Sequence, residues 1–209
     1  MNQYVRALAE GRVVAAATET FFGLLVDATR PSALDALLRV KPRGADKGIP
    51  LILPDAASWT TLVPSVPPAA HALATEFWPG ALSIALPALP DLDPRVTLDG
   101  SVAVRVPPPC GAAELARAFG KPLTATSANL PGEPPATDGT EVLRSLGQAV
   151  ANGDLLVLPG ISPGGFPSTL VSVGAERARL VRAGRVPRER VAEVLARAGL
   201  RLDDPLPPS

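Results

Sequence analysis

A single α/β domain, equally describable as α+β, with a twisted sheet of mixed parallel and antiparallel strands flanked by helices, follows from three observations. Strand-like and helix-like segments succeed one another without a strict strand–helix alternation, which argues against an all-parallel doubly wound sheet. No composition break, repeat or heptad run divides the 209 residues, a length that suits one domain with a sizeable core. The 25 prolines fall mostly between apolar segments, where they fix φ and stiffen loops. The domain is expected over 1–202, with 203–209 a frayed tail.

Arg12 to Ala17 is a β-branched and alanine run bounded by Gly11, and predicts a buried strand delivering Thr18-Glu19-Thr20 to a loop. From Ser32, read as an N-cap, Leu34, Leu37 and Leu38 recur at helical spacing until Lys41-Pro42-Arg43-Gly44 ends the pattern. The basic cluster therefore leaves a helix C-terminus, where cations are favoured and Pro and Gly open the following loop. Pro50–Pro54 reads as a strand, Ala69–Phe77 as a helix and Trp78-Pro79-Gly80 as a turn. Leu82–Leu86 alternates with period two, the pattern of a strand with one buried face. Ser101–Val106 is a strand carrying Arg105, Ala112–Phe119 a helix stopped by Gly120, and Pro122–Ala125 leads into a turn at Thr126-Ser127-Ala128-Asn129. Thr140–Leu146 is a helix, Leu155–Leu158 a strand and Pro159–Pro167 a Gly/Pro loop. Thr169–Val173 and Ala178–Arg182 pair as a hairpin, and Arg188–Ala198 is a last amphipathic helix.

Twenty basic and 20 acidic side chains cancel, so no global field draws the chain to nucleic acid or an anionic membrane, and any basic patch is local. Cys110 is the single cysteine, which excludes an internal disulfide and a multi-cysteine metal site and fits a reducing cytosol. No segment reads as a signal peptide or membrane span, so a cytoplasmic location without membrane contact is expected.

Two groups of residues suggest chemistry. Lys41, Arg43 and Lys47 form a dense positive cluster suited to phosphate oxygens, although on composition alone it is also the solvated end of a helix. Ser127 and Asn129 offer a hydroxyl and an amide in a turn without bulk, which admits a close ligand or simply caps the next segment. Arg105, flanked by valines near a strand end, either faces outward or pairs with a carboxylate. His71 lies in an apolar helix, Trp78 reads as a packing anchor, and Cys110 follows three prolines with no partner in view.

In their order, these residues resemble the YrdC/TsaC family, the L-threonylcarbamoyladenylate synthases that begin the threonylcarbamoyl modification of adenosine 37 in tRNA. The matching stretches are Gly11 to Leu24 with Thr18-Glu19-Thr20 and Phe22-Gly23, Lys41-Pro42-Arg43 through Lys47 to Leu51, and Trp78 to Ser83. They continue with Val102 to Pro107 around Arg105, Thr126 to Asn129 with Gly132, Pro167-Ser168-Thr169, and Val181-Arg182-Ala183-Gly184. Each motif is weak alone; seven in order are strong.

The resemblance implies a YrdC-like fold with a concave basic cleft, and a reaction in which L-threonine, bicarbonate or CO₂, and ATP give threonylcarbamoyl-AMP and pyrophosphate. It implies that Lys41 and Arg43 are catalytic and, with Lys47, hold the triphosphate, while Mg²⁺ arrives with ATP rather than in a protein cage. Arg105 would clamp the threonine carboxylate, with Thr18 and Ser168 on the rest of the amino acid. Ser127, Asn129, Arg182 and, more weakly, Ser101 would hold the nucleotide. By family, the product passes to the TsaD/TsaB/TsaE transferase complex, so contact with tRNA would be indirect.

The chain departs from the pattern at Ala17, where Pro is common, at Phe22, where Tyr is common, and at Leu53-Pro54, where many long-form members carry a His. Any contact belonging to that His is not carried over, and the chain resembles the short bacterial form. Two other functions compete. An RNA-binding or ribosome-associated module of the same fold would need a basic face, against which stand net neutrality and few aromatics. A carbamoyl-transfer domain like that of hydrogenase maturation proteins would sit beside cysteine-rich segments, which a lone Cys110 does not supply.

Overall fold

The computed structural model describes residues 1–42 and 48–204. The chain opens with helix α1, Asn2–Ala9, which the prediction above starts too late to include; Tyr4, Ala7 and Leu8 are its buried stripe. Strand β1, Val13–Ala17, follows, and all five residues are buried because each face meets a different core. Val13, Ala15 and Ala17 belong to the larger cluster, whereas Val14 and Ala16 belong to a smaller one with Tyr4, Leu8 and Leu115. Period-two alternation sends successive side chains to opposite faces, so a central strand reads as one continuous apolar run.

Strand β2, Phe22–Leu25, returns antiparallel to β1 and had no separate signal, since four buried residues right after Thr18–Thr20 look like a continuation of the loop. Helix α2, Pro31–Val40, starts one residue before the expected Ser32 cap. Arg30 is the N-cap and Pro31 opens the helix, a position where the missing N–H has no helical partner to lose. The Ser32 hydroxyl instead accepts a hydrogen bond of 3.0 Å from Arg30 Nε. Lys41 caps the C-terminus in an extended conformation, as expected.

Strand β3, Leu51–Ile52, a 3₁₀ turn at Ala57–Thr61, helix α3, Pro68–Phe77, and strand β4, Leu82–Pro87, come next. β4 is not half-exposed: Leu82, Ser83 and Ile84 are all buried, and the strand lies inside its sheet between two others. A 3₁₀ turn at Pro94–Val96 leads to β5, Thr97–Leu98, then β6, Ser101–Arg105, and helix α4, Gly111–Phe119, which ends on Gly120 at φ +76°. β7, Leu123–Thr124, and β8, Thr126–Ser127, are separated by Ala125, where the chain steps from one sheet to the other. The segment expected to be a turn thus begins as a strand.

Helix α5, Gly139–Ala151, is kinked at Leu146, the residue at which the sequence-predicted helix stops. β9, Leu155–Val157, β10, Thr169–Val173, β11, Ala178–Arg182, helix α6, Arg188–Arg197, and β12, Leu202–Asp203, complete the chain. The predicted hairpin is present, with Gly174 N donating to Arg177 O at 2.8 Å. The frayed tail does not begin at 203: Asp203 pairs with Arg179 in parallel strands, and Arg188 Nη2 lies 2.8 Å from Asp204. The rest of that expectation, 205–209, lies outside the described residues.

One sheet runs β8-β2-β1-β9, the other β12-β11-β10-β4-β6-β3-β7 with β5 paired to β6. Parallel pairs (β1 with β9, β4 with β10, β3 with β6) stand beside antiparallel ones (β4 with β6, β10 with β11), so the mixed pairing is as predicted, although it is divided between two sheets rather than held in one. No helix among the described residues is long and apolar enough to cross a membrane.

Candidate active site

Arg105 ends β6, where the strand must turn into Pro107–Pro109, and its side chain is buried rather than outward. Its Nη1 lies 2.8 Å from Glu19 Oε1 in the loop after β1, and both side chains are about nine-tenths buried, at 8% and 10% exposure. The approach is too bent for a hydrogen bond, so both Glu19 oxygens are buried without a donor among the described residues. Thr18 beside it is buried and locked locally. Its Oγ1 donates to Phe21 O at 2.7 Å, and its N–H donates to Ser162 Oγ at 3.1 Å. Gly164 N donating to Thr20 O at 2.8 Å ties the Gly/Pro loop to the same place, so that loop is part of the wall of the site.

Ser168, just before β10, faces Ser83 of β4 with their Oγ atoms 3.0 Å apart. Arg182 ends β11 at an exposed position, yet its guanidinium turns back to donate to Ser168 O at 3.0 Å and to Ser168 Oγ at 3.1 Å. Burial, and then the neighbouring Arg105 charge, pull the Arg182 guanidinium below its usual range. The Arg182 guanidinium lies near Arg105, and Glu19 is paired with Arg105 alone among the described residues, which leaves this end of the site electropositive and suited to an anion. Gly184 lets the arrangement close: a Cβ there would stand 2.3 Å from Pro167 O.

The other end gathers Lys41, Ser127 and Asn129. Lys41 Nζ donates to Ser127 O at 2.6 Å, to Ser127 Oγ at 3.1 Å and to Asn129 Oδ1 at 3.1 Å, across 86 to 88 residues of sequence. Asn129 Nδ2 in turn donates to Glu133 O at 2.6 Å. The helix end and the step between sheets are thereby joined through one ammonium. Arg43 and Lys47, predicted beside Lys41, lie outside the described residues. Gly48 and Ile49 are held against the 95–97 backbone: Ile49 N donates to Arg95 O at 2.9 Å, and a Cβ on Gly48 would come within 2.9 Å of the Thr97 backbone. Ser101 opens β6, about 13 Å along the strand from Arg105, and pairs with Leu98 beside Thr97.

The structure thus brings Thr18, Arg105, Ser168 and Arg182 to one end, Lys41, Ser127 and Asn129 to the other, and Ser101 to the far edge. Sequence reasoning passed over Glu19, Ser83 and Ser162. Glu19 stood in the open between two hydroxyls; its charge next to an expected carboxylate clamp was the available signal. Cys110, the N-cap of α4, sits near the same pair, and burial followed by the Glu19 charge pushes its thiol up, so it stays protonated and unreactive at neutral pH. A cavity of about 410 Å³ elsewhere is lined by Trp59, His71, Trp78 and Val106 among others and holds none of these groups; His71 packs edge-on to Trp59 at 4.9 Å.

Residues 6–184 match the Sua5/YciO/YrdC family model, described as telomere recombination. The chain belongs to that family. A Sua5/YciO/YrdC relative from Stenotrophomonas maltophilia, named threonylcarbamoyl-AMP synthase, is 41% identical over 65% of this chain and 75% of its own. One of the same name from Bacillus subtilis is 34% identical over 92% of this chain and 56% of its own. The crystal structure of P. abyssi Sua5 complexed with L-threonine superposes with a TM-score of 0.82 at 27% identity, covering 96% of this chain and 58% of that one. The chain therefore spans somewhat more than half the length of the Bacillus and P. abyssi relatives.

Proposed function

We propose that this protein synthesises L-threonylcarbamoyl-AMP from L-threonine, bicarbonate or CO₂, and ATP, releasing pyrophosphate, the first step of threonylcarbamoyladenosine formation at position 37 of tRNA. The observation that carries the reading is the buried Arg105–Glu19 pair abutting Arg182 and Ser168, in a chain whose family relatives are named for this product. Arg105 offers a planar fork to the amino-acid carboxylate, and Thr18 and Ser168 line its approach. The amine captures CO₂ as a carbamate, one of whose oxygens attacks the α-phosphorus of ATP while the bond to pyrophosphate breaks. AMP passes directly from pyrophosphate to the carbamate oxygen, a nucleotidyl transfer that needs no protein nucleophile and works by positioning and charge.

Mg²⁺ would arrive with ATP and would offset the negative charge of the triphosphate beside Lys41. Lys41, held on Ser127 and Asn129, marks the phosphate end together with Arg43 and Lys47, and Arg182 lies between the two substrates. Two anions must meet in this cleft, and the two guanidiniums described above offset their repulsion. The adenylate is then handed to the TsaD/TsaB/TsaE transferase, with tRNA contacted there rather than here.

Pyrophosphate release from ATP, with threonine or bicarbonate omitted in turn and pyrophosphatase present, tests the reading. Release that requires both supports it. Release that requires neither, or RNA binding that falls with salt in a protein without turnover, overturns it.

A further inference from the structure

Among the described residues, the buried side-chain oxygens without a hydrogen-bond donor are the two of Glu19. A carboxylate hidden from water normally collects donors, because leaving them unmade is costly. Glu19 has a countercharge, Arg105 at 2.8 Å, but no hydrogen bond to satisfy either oxygen. Open lone pairs at this place suit donors carried by a ligand. The pair itself says what: opposite charges one hydrogen-bond length apart are the antiparallel complement of an amino-acid zwitterion, carboxylate to guanidinium and ammonium to carboxylate.

We propose that Glu19 binds the α-ammonium of the amino-acid substrate and accepts its proton, turning it into the amine that captures CO₂. This inference rests on the synthase reading above and adds the residue that prepares the nucleophile. An N–H bond of the ammonium breaks and its proton moves to a Glu19 oxygen. The electron pair left on nitrogen forms the N–C bond to CO₂, while one C=O pair becomes the carbamate oxyanion. The second N–H proton leaves the adduct and is the one consumed when bicarbonate dehydrates to CO₂ and water. Ammonium and bicarbonate thus yield carbamate, water and one proton, which rests on Glu19. The charged and titratable groups around this position are Arg105 from β6, paired with Glu19, the Cys110 thiol at the start of α4, and Arg182 from β11 on the far side of Arg105. Neither guanidinium can take the proton itself.

The test is the pH dependence of threonine- and bicarbonate-dependent pyrophosphate release, at saturating substrates, for the wild type, Glu19→Gln and Glu19→Asp. The wild type should be nearly level between about pH 7 and 9. Glu19→Gln should be slower by about 100-fold near neutrality and recover about tenfold per pH unit as the amine deprotonates unaided. Glu19→Asp should keep the level profile at reduced rate. A Glu19→Gln profile parallel to wild type, with the loss confined to the KM for threonine, would mean that Glu19 only holds Arg105, and overturns the assignment. Should Glu19→Gln fail to fold, the wild-type profile decides: a rate that itself climbs tenfold per pH unit overturns the assignment. A wild type without threonine- and bicarbonate-dependent release removes the synthase reading, and this inference with it.

Discussion

At the Lys41 end of the cleft, one ammonium is met by three acceptors from Ser127 and Asn129, and Asn129 is itself held by the backbone. At the Arg105 end, a carboxylate and a guanidinium stand 2.8 Å apart, and the carboxylate receives no hydrogen bond from the described residues. Both ends are buried and both carry charge, so burial alone does not separate them. The difference lies in how completely the donors and acceptors are matched. A lysine with each proton placed joins two distant parts of the chain and shapes the cleft. An ion pair with open lone pairs is arranged for a visitor.

The sharpest way to break this contrast is Arg105→Ala. It removes the carboxylate clamp and leaves Glu19 buried without its countercharge, so turnover should fall by 100-fold or more and stability by about 3 kcal/mol. Adding Glu19→Gln should return about 1–2 kcal/mol of that stability in urea unfolding while activity stays lost. A double variant no more stable than the single one would show that the pair is not coupled.

Lys41→Ala comes next. It strands the Ser127 and Asn129 acceptors and should cost about 2 kcal/mol, read from the unfolding midpoint, with an accompanying rise in the KM for ATP. Lys41→Arg should not restore it, because a planar fork cannot reproduce three bonds converging on one nitrogen. An alanine variant as stable as wild type would make the two ends alike.

The smallest effect is expected at Asp93. Asp93 accepts from Arg95 N and Nε, and Arg95 bonds Asp35 of α2, so the three tie that helix to the 3₁₀ turn at Pro94–Val96. The Arg95 side chain, as hydrogen-bond partner, holds the Asp93 carboxyl below its ordinary 3.8. A carboxylate with a lowered folded value stabilises the fold above its unfolded value and loses that contribution as pH falls through the folded one. Asp93→Asn should therefore cost about 1 kcal/mol at neutral pH, with the gap to wild type closing below pH 3.8. A gap that persists in acid would assign the effect to the cap hydrogen bond rather than to charge.

Much of this architecture was legible from local pattern. The helices at Pro31–Val40 and Gly111–Phe119 and the hairpin at Thr169–Arg182 show the periods and stop signals that define them. The strand β2 and the strand at Thr126–Ser127 did not, because their pairing partners, not their own residues, make them strands. The pattern stops at Leu146 because the backbone there leaves helical φ/ψ, and the helix that resumes beyond it packs with β9 as one element.

For the site, the sequence by itself supplied the identities of Lys41, Thr18, Arg105, Ser127, Asn129, Ser168 and Arg182 and the order in which they occur. It could not say that Lys41 is tied to Ser127 and Asn129, or that a glutamate follows Thr18 in order to face Arg105. Those facts depend on contacts between residues some 86 positions apart, and only the step between two sheets at Ala125 and the turn at the end of β6 bring them within hydrogen-bond reach. Residue type sets what chemistry is available; the tertiary fold decides which buried charges are satisfied and which are left waiting for a ligand, because hydrogen bonding is a property of positions in space.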